Sequence, residues 1–128
     1  MLATTTMKNL ENEKNMTNYT PDKFIVVKLT APEPYPTDHY RVFACWYGGY
    51  AGSDSWKLNS GITEVTRDGD LLHFKGSSGS IYTCHVETYG TSGYGHGVLQ
   101  NLIEQQAARG VTIEVLPEDT DFLGLNYD

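Results

Sequence analysis

The stretch ITEVTRDGDLLHFKGSSGSIYTCHVE, residues 62–87, decides the fold. It holds three segments of β type, 62–67, 71–75 and 80–87, separated by two short turn signals. Asp68-Gly69 is a two-residue hairpin signal, because primed turns require positive φ and glycine adopts it at little cost. With these two residues as the turn, Arg67 faces Asp70, Val65 faces Leu72 and Thr63 faces Phe74. Ser77-Ser78-Gly79 suits a three-residue loop with glycine in the left-handed position. That loop pairs Phe74 with Tyr82 and Leu72 with Cys84. Side chains alternate along a strand, so both registers put Val65, Leu72, Phe74, Tyr82, Cys84 and Val86 on one face. The expected unit is a three-stranded antiparallel meander with one apolar face.

Upstream, residues 24–30 (FIVVKLT) are β-branched and apolar, and read as a strand. Residues 39–47 (HYRVFACWY) read as another, apolar on both faces as a central strand is. Between them Pro32, Pro34 and Pro36 fix an extended connection that cannot join a ladder. Gly48, Gly49 and Gly52 make a flexible loop running to Trp56. Downstream, Val98, Leu99, Leu102, Ile103 and Ala107 recur at helical spacing over 98–109 and form one stripe. Ser92 or His96 stands near the helix start, and Gly110 ends it as a left-handed cap. Residues 111–116 (VTIEVL) alternate as a last strand, stopped by Pro117.

The fold class expected is α+β: an antiparallel sheet of about five to six strands, with one main helix laid on the apolar face of the meander. Residues 1–22 are polar and read as a flexible N-terminal arm. Residues 23–117 form a single domain, as suits a chain of 128 residues. Residues 118–128 are an acidic tail that also carries Phe122, Leu123, Leu125 and Tyr127, which suit docking on the body or on a partner.

Sixteen acidic residues against nine Lys and Arg give a formal charge of −7. Duplex nucleic acid is therefore a poor partner, since binding it needs a positive footprint. A small anion is compatible, because a few local cations suffice. No apolar run approaches the roughly 18 residues of a membrane span, and the first 22 residues lack a signal-peptide core. The expectation is a cytoplasmic protein without membrane contact, in which Cys45 and Cys84 are reduced packing residues.

Three constellations carry possible chemistry. On the polar face of the meander, Glu64 is expected opposite His73, His73 opposite Thr83, and His85 opposite Leu71. A carboxylate with two histidines suits a general base or a zinc site, although antiparallel sheets commonly turn one solvated face outward. The loop 89–97 (YGTSGYGHG) leads into the helix, where backbone N–H groups can cradle a phosphate. Tyr89 and Tyr94 there suit stacking on a ring, and the lysine of a Walker motif is absent. In residues 47–56, tyrosine, tryptophan and glycine interleave into a flat, adaptable surface. No nucleophile elbow is present: Gly76-Ser77-Ser78-Gly79-Ser80 lies in a hairpin rather than at a strand-to-helix turn. The expectation is a protein that is not an enzyme.

In its size, its sheet-then-helix order and a few residues, the chain resembles the phage-encoded anti-Thoeris sponge family, which captures cyclic ADP-ribose signals. That family holds its ligand with arginines, an aromatic ring and a polar amide around a subunit interface. The resemblance implies a homo-oligomer in the bacterial host cytoplasm that sequesters a small anionic nucleotide and needs no cofactor or metal. Lys28, Lys57 and Arg109 would neutralise phosphate, Tyr82 or Tyr94 would stack on the base, and Ser92 would fix a polar edge. Only Arg109 keeps the family's residue type, and lysine lacks the bidentate fork of arginine. Two alternatives stand beside it. One is an interaction module that blocks a host enzyme through its Tyr- and Gly-rich loops and acidic tail. The other is a small hydrolase using Glu64, His73 and His85.

Overall fold

The structure, a computed structural model, describes residues 17–32, 38–49 and 52–127. Its elements in chain order are β1 (Asn18–Tyr19), β2 (Lys23–Thr30), β3 (His39–Trp46), β4 (Ser55–Leu58), β5 (Ile62–Asp68), β6 (Leu71–Gly76), β7 (Ile81–His85), α1 (Gly93–Ala107) and β8 (Thr112–Val115). The strands form two four-stranded sheets, ordered β1-β7-β6-β5 and β4-β3-β2-β8. The ladders are antiparallel apart from β1 beside β7. The class is α+β with one main helix, as the sequence pattern indicates. The six expected strands are present, and β1 and β4 join them.

Two-sided burial of β2 and β3 organises the molecule. Phe24, Val26, Val42 and Ala44 face the meander and share a core with Leu72, Phe74, Tyr82 and Cys84. Ile25, Val27, Leu29, Phe43 and Cys45 point the other way and pack with Leu99 of α1. The sheet β4-β3-β2-β8 is thus a middle layer, and its central strands are apolar on both faces because both are covered. This corrects the expected position of the helix. The stripe of Val98, Leu99, Leu102 and Ile103 lies on the middle sheet, because β2 and β3 already occupy the apolar face of the meander. Ala107, expected in that stripe, is exposed.

The start of α1 shows how closely the layers approach. Ser92 caps it by accepting from Gly95 N at 2.9 Å. An ideal Cβ on Gly95 would lie 2.3 Å from Cys45 Sγ, so the first helical turn rests on β3 with no room for a side chain. At the other end Gly110 holds φ +81°, as a left-handed cap requires.

The β6–β7 hairpin has the expected register, with Phe74 opposite Tyr82 and Leu72 opposite Cys84, and Gly79 at φ +94°. The β5–β6 hairpin is displaced. Asp68 pairs with Leu71, Arg67 with Leu72 and Val65 with Phe74, so the loop is Gly69-Asp70. Gly69 has φ +59°, and no non-glycine residue among those described has positive φ. A turn at Asp68-Gly69 would have demanded positive φ of Asp68, whereas glycine in the first loop position leaves no residue strained. The shift is by two residues, which preserves the buried face.

Residues 1–16 of the expected arm lie outside the described residues. Within 17–22, Asn18 and Tyr19 pair with Ile81 and Tyr82, and the Tyr19 ring lies 4.9 Å from that of Tyr82. In the acidic tail Phe122 is buried in the meander core. Its ring meets Phe74 edge-on at 6.0 Å and stacks with Tyr89 at 5.8 Å. Cys45 and Cys84 are unpaired and buried in different layers. Pro34 and Pro36 of the expected connection, and Tyr50 and Ala51 of the glycine loop, lie outside the described residues. No helix among those described is long and apolar enough to cross a membrane.

Candidate functional site

The chain crosses between the two sheets once it leaves β4, through Asn59, Ser60 and Gly61, before it enters β5. Asn59 continues the β3 ladder by a mixed device. Its backbone N–H donates to Val42 O at 3.0 Å, and its side-chain Oδ1 accepts from Val42 N at 2.8 Å. The Val42 N–H needs an acceptor, so the amide can point only one way, with Nδ2 turned from the strand. That nitrogen is buried and has no hydrogen-bond partner, alone in this among the side-chain polar atoms of the described residues. An unsatisfied buried donor costs about 1–3 kcal/mol.

Nδ2 and the Ser60 hydroxyl both face the bare side of Gly76, where an ideal Cβ would lie 3.2 Å from Nδ2 and 3.1 Å from Ser60 Oγ. The β6–β7 loop is clamped beside them. Ser77 N donates to Gly61 O at 2.9 Å and Ser78 N to Ser60 Oγ at 3.0 Å. Ser60 Oγ donates to Ser78 Oγ at 3.2 Å, and Ser78 Oγ lies 3.4 Å from Ser80 Oγ. These bonds hold a row of hydroxyls at the mouth of a cleft.

The cleft has a volume of ≈ 210 Å³ and is lined by Arg41, Lys57, Asn59, Ser60, Ser78 and Ser80, with Tyr82 and Leu58 in its wall. Among these lining residues two are cationic and none is acidic, in a chain of net charge −7. Lys57 Nζ stands 5.1 Å over the Tyr19 ring, and Arg41 Nε donates to His39 Nε2 at 3.0 Å. Burial pushes the Tyr82 phenol up to about 12, with Tyr19 and Cys84 adding to the shift. Tyr82 is therefore neutral at ordinary pH and does not repel an anion. Donors and positive charge converge here, which suits an oxyanion.

Of the six residues expected to bind a ligand, Lys57 and Tyr82 meet at this cleft. The other four stand elsewhere. Lys28 pairs with Asp38 at 3.4 Å, and Ser92 is buried as the helix cap. Tyr94 is half-exposed in the first turn of α1. Arg109 is exposed beyond the helix end, its backbone N–H donating to Gln106 O at 2.9 Å. On the polar face of the meander, His73 Nδ1 and Thr83 Oγ1 lie 2.9 Å apart. The two-residue shift puts Thr66 opposite His73 and moves Glu64 opposite Lys75, which corrects the expected Glu64–His73 pair. His85 stands opposite Leu71 as expected and accepts from Glu87 N at 3.2 Å. Among the described residues no three His, Cys, Asp or Glu side chains come together to hold a metal.

Sequence reasoning missed Arg41, Asn59, Ser60, Ser78 and Ser80 as site residues. The available signal was two polar turns of similar composition, 59–61 and 77–80, flanking the β5–β6 hairpin. A second cavity, of ≈ 170 Å³, lies under the C-terminal segment between Phe24, Leu72, Tyr89 and Phe122, with Arg67 and Glu118 at its edge. Comparisons with protein-family models, with curated proteins and with solved structures find no match to this chain.

Proposed function

We propose that this protein binds and sequesters a small anionic nucleotide at the cleft between Lys57, Asn59 and the 77–80 loop. The observation that carries the reading is the unpartnered Asn59 amide in a cleft lined by two cations and no carboxylate. Binding is favoured over catalysis because the ionisable groups lining the cleft are Arg41, Lys57 and a phenol raised to about 12. No carboxylate, histidine or cysteine, the usual general bases and nucleophiles, lines it. The first ligands to test are cyclic ADP-ribose isomers, as the resemblance implies. The proposed setting is a homo-oligomer in an infected bacterial cytoplasm, where holding such a signal out of solution counters immune signalling.

A thermal-shift screen of cyclic ADP-ribose isomers, cyclic oligonucleotides and inorganic pyrophosphate tests this. At a hundredfold excess over Kd, binding adds about 2.7 kcal/mol, a rise of several degrees in a domain of this size. No shift with any of these anions refutes the proposal. A second reading, docking on a host protein, rests on the exposed aromatic side chains Tyr47, Trp56 and Tyr94, a residue type enriched at interfaces. Retention of a stoichiometric protein partner from bacterial lysate, with no nucleotide effect on Tm, would select it.

A further inference from the structure

Resting on the reading just given, the geometry points to a ligand held by its phosphoryl oxygens, with the base left unread. Pyrophosphate, free or as part of a nucleotide, is then the minimal ligand. Three independent observations lead there.

The first is the balance of donors and acceptors. Asn59 Nδ2, Lys57 and Arg41 only donate, and the serine hydroxyls are engaged with one another. A phosphoryl group presents only acceptors and matches such a set. The edge of a base presents donors as well, which would go unanswered.

The second is the state of the aromatic rings. Base recognition without hydrogen bonds needs an open ring face. Tyr82 is 1% exposed and lies against Tyr19 at 4.9 Å. Tyr19 in turn carries Lys57 over its ring, and the Trp46 ring stands edge-on to it at 6.1 Å. The rings beside the cleft are thus used in packing the short β1 strand onto the body. Their role is to position Lys57 at the mouth.

The third is size. A cleft of ≈ 210 Å³ is smaller than the roughly 300–1,000 Å³ of pockets that enclose a whole drug-sized ligand. It accommodates the charged end of a nucleotide and leaves the remainder in solvent. Gly76 is the residue that keeps the amide side of the cleft open. Its φ is not in the left-handed region, so the backbone does not demand glycine there. What a side chain would meet is Ser60 Oγ and Asn59 Nδ2.

Isothermal titration calorimetry on the full chain tests this with inorganic pyrophosphate, ADP, GDP, UDP, a cyclic ADP-ribose isomer and adenosine. Pyrophosphate and the three nucleoside diphosphates are expected to bind within about threefold of one another, and adenosine not at all. Asn59→Asp keeps an oxygen for the Val42 N–H but replaces the donor with a carboxylate. Gly76→Ala changes no charge and presses a methyl group on the same two atoms. Each is expected to weaken pyrophosphate about ten- to hundredfold, the loss of one charge-assisted hydrogen bond. Should Asn59→Asp fail to fold, Gly76→Ala and the base comparison on the natural chain still decide. A preference above a hundredfold among ADP, GDP and UDP overturns the inference, as does pyrophosphate binding unchanged in a folded variant. A base preference leaves nucleotide sequestration at the cleft standing, whereas unchanged binding in a folded variant also removes the cleft as its site. If no phosphorylated probe binds, the proposed function falls and this inference with it.

Discussion

Replacing Gly95 with alanine sets a methyl group against the Cys45 thiol, and the cost follows from the packing of α1 on the middle sheet. The added Cβ would stand 2.3 Å from Cys45 Sγ, 3.1 Å from Ser92 Oγ and 3.5 Å from Phe43 Cε1. Apolar atoms pack at about 3.5–4.0 Å, so the helix start or the thiol has to move by more than an ångström. Overpacking of this kind costs about 1–3 kcal/mol. Alanine in place of a helical glycine returns about 0.8–1.0 kcal/mol, which leaves Gly95→Ala destabilised by up to about 2 kcal/mol. Cys45→Ala alone removes one buried atom at a cost of about 1 kcal/mol, as single-group core deletions do. In the double variant the new methyl fills the space left by the sulfur. It should be about 1–2 kcal/mol more stable than the sum of the single changes, which urea denaturation of the four proteins measures as a double-mutant cycle. Additivity within about 0.5 kcal/mol would mean that the two residues do not touch. The placement of the helix on the β2–β3 face would then be wrong.

Three further outcomes are expected. Phe122→Ala should lower stability by about 3–5 kcal/mol in the same assay, because the ring is buried in the meander core; a loss below about 1 kcal/mol would detach the C-terminal segment from that core. Tyr82 ionises at about 12 in the folded protein instead of at its ordinary 10.0, so its contribution to stability is intact below pH 10 and lost as pH rises towards 12. Tyr82→Phe should flatten that alkaline decline, and an unchanged pH profile would refute the assignment. Lys57→Ala should lower Tm by no more than about 5 °C, since an exposed cation–π contact is worth about 0.5–1 kcal/mol, yet weaken pyrophosphate about tenfold as one charged contact is lost.

The meander was legible because its information is local. Gly79 sits in the left-handed position that a three-residue loop requires, and it fixes Phe74 opposite Tyr82. The other hairpin shows the limit of such signals. In Asp68-Gly69-Asp70 the glycine can be the second residue of one two-residue loop or the first of the next. Both choices bury the same side chains, so hydrophobic pattern does not separate them, while the strain on Asp68 does. The slip cancelled the Glu64–His73 pair, which depended on register alone. The helix position was hidden for a different reason. The apolar residues of β2 and β3 show that both faces are covered, but periodicity does not say which element covers which. Gly95 held the missing clue, as a helical glycine where backbone meets sulfur. β1 was invisible because two residues carry no period at all.

The cleft was the least legible feature, and its origin explains why. Asn59 is joined to Val42, seventeen residues away, and its neighbour Gly76 comes from the other sheet. No local pattern links these positions; they meet because the chain changes sheets after β4. That crossing asks two separate things of residue 59. An acceptor must close the β3 ladder at Val42 N, which any side chain with a suitably placed oxygen can supply. The amide N–H₂ is surplus to this task, and leaving it unpaired takes about 1–3 kcal/mol from a total stability that is typically about 5–15 kcal/mol. A ligand that supplies an acceptor recovers that loss on binding, so its affinity includes a contribution the folded chain has already set aside. Asn59→Asp separates the two roles: the ladder contact stays and the donor goes. A variant that folds with its β3–β4 edge intact but no longer binds pyrophosphate would show that the surplus half of the amide serves the ligand.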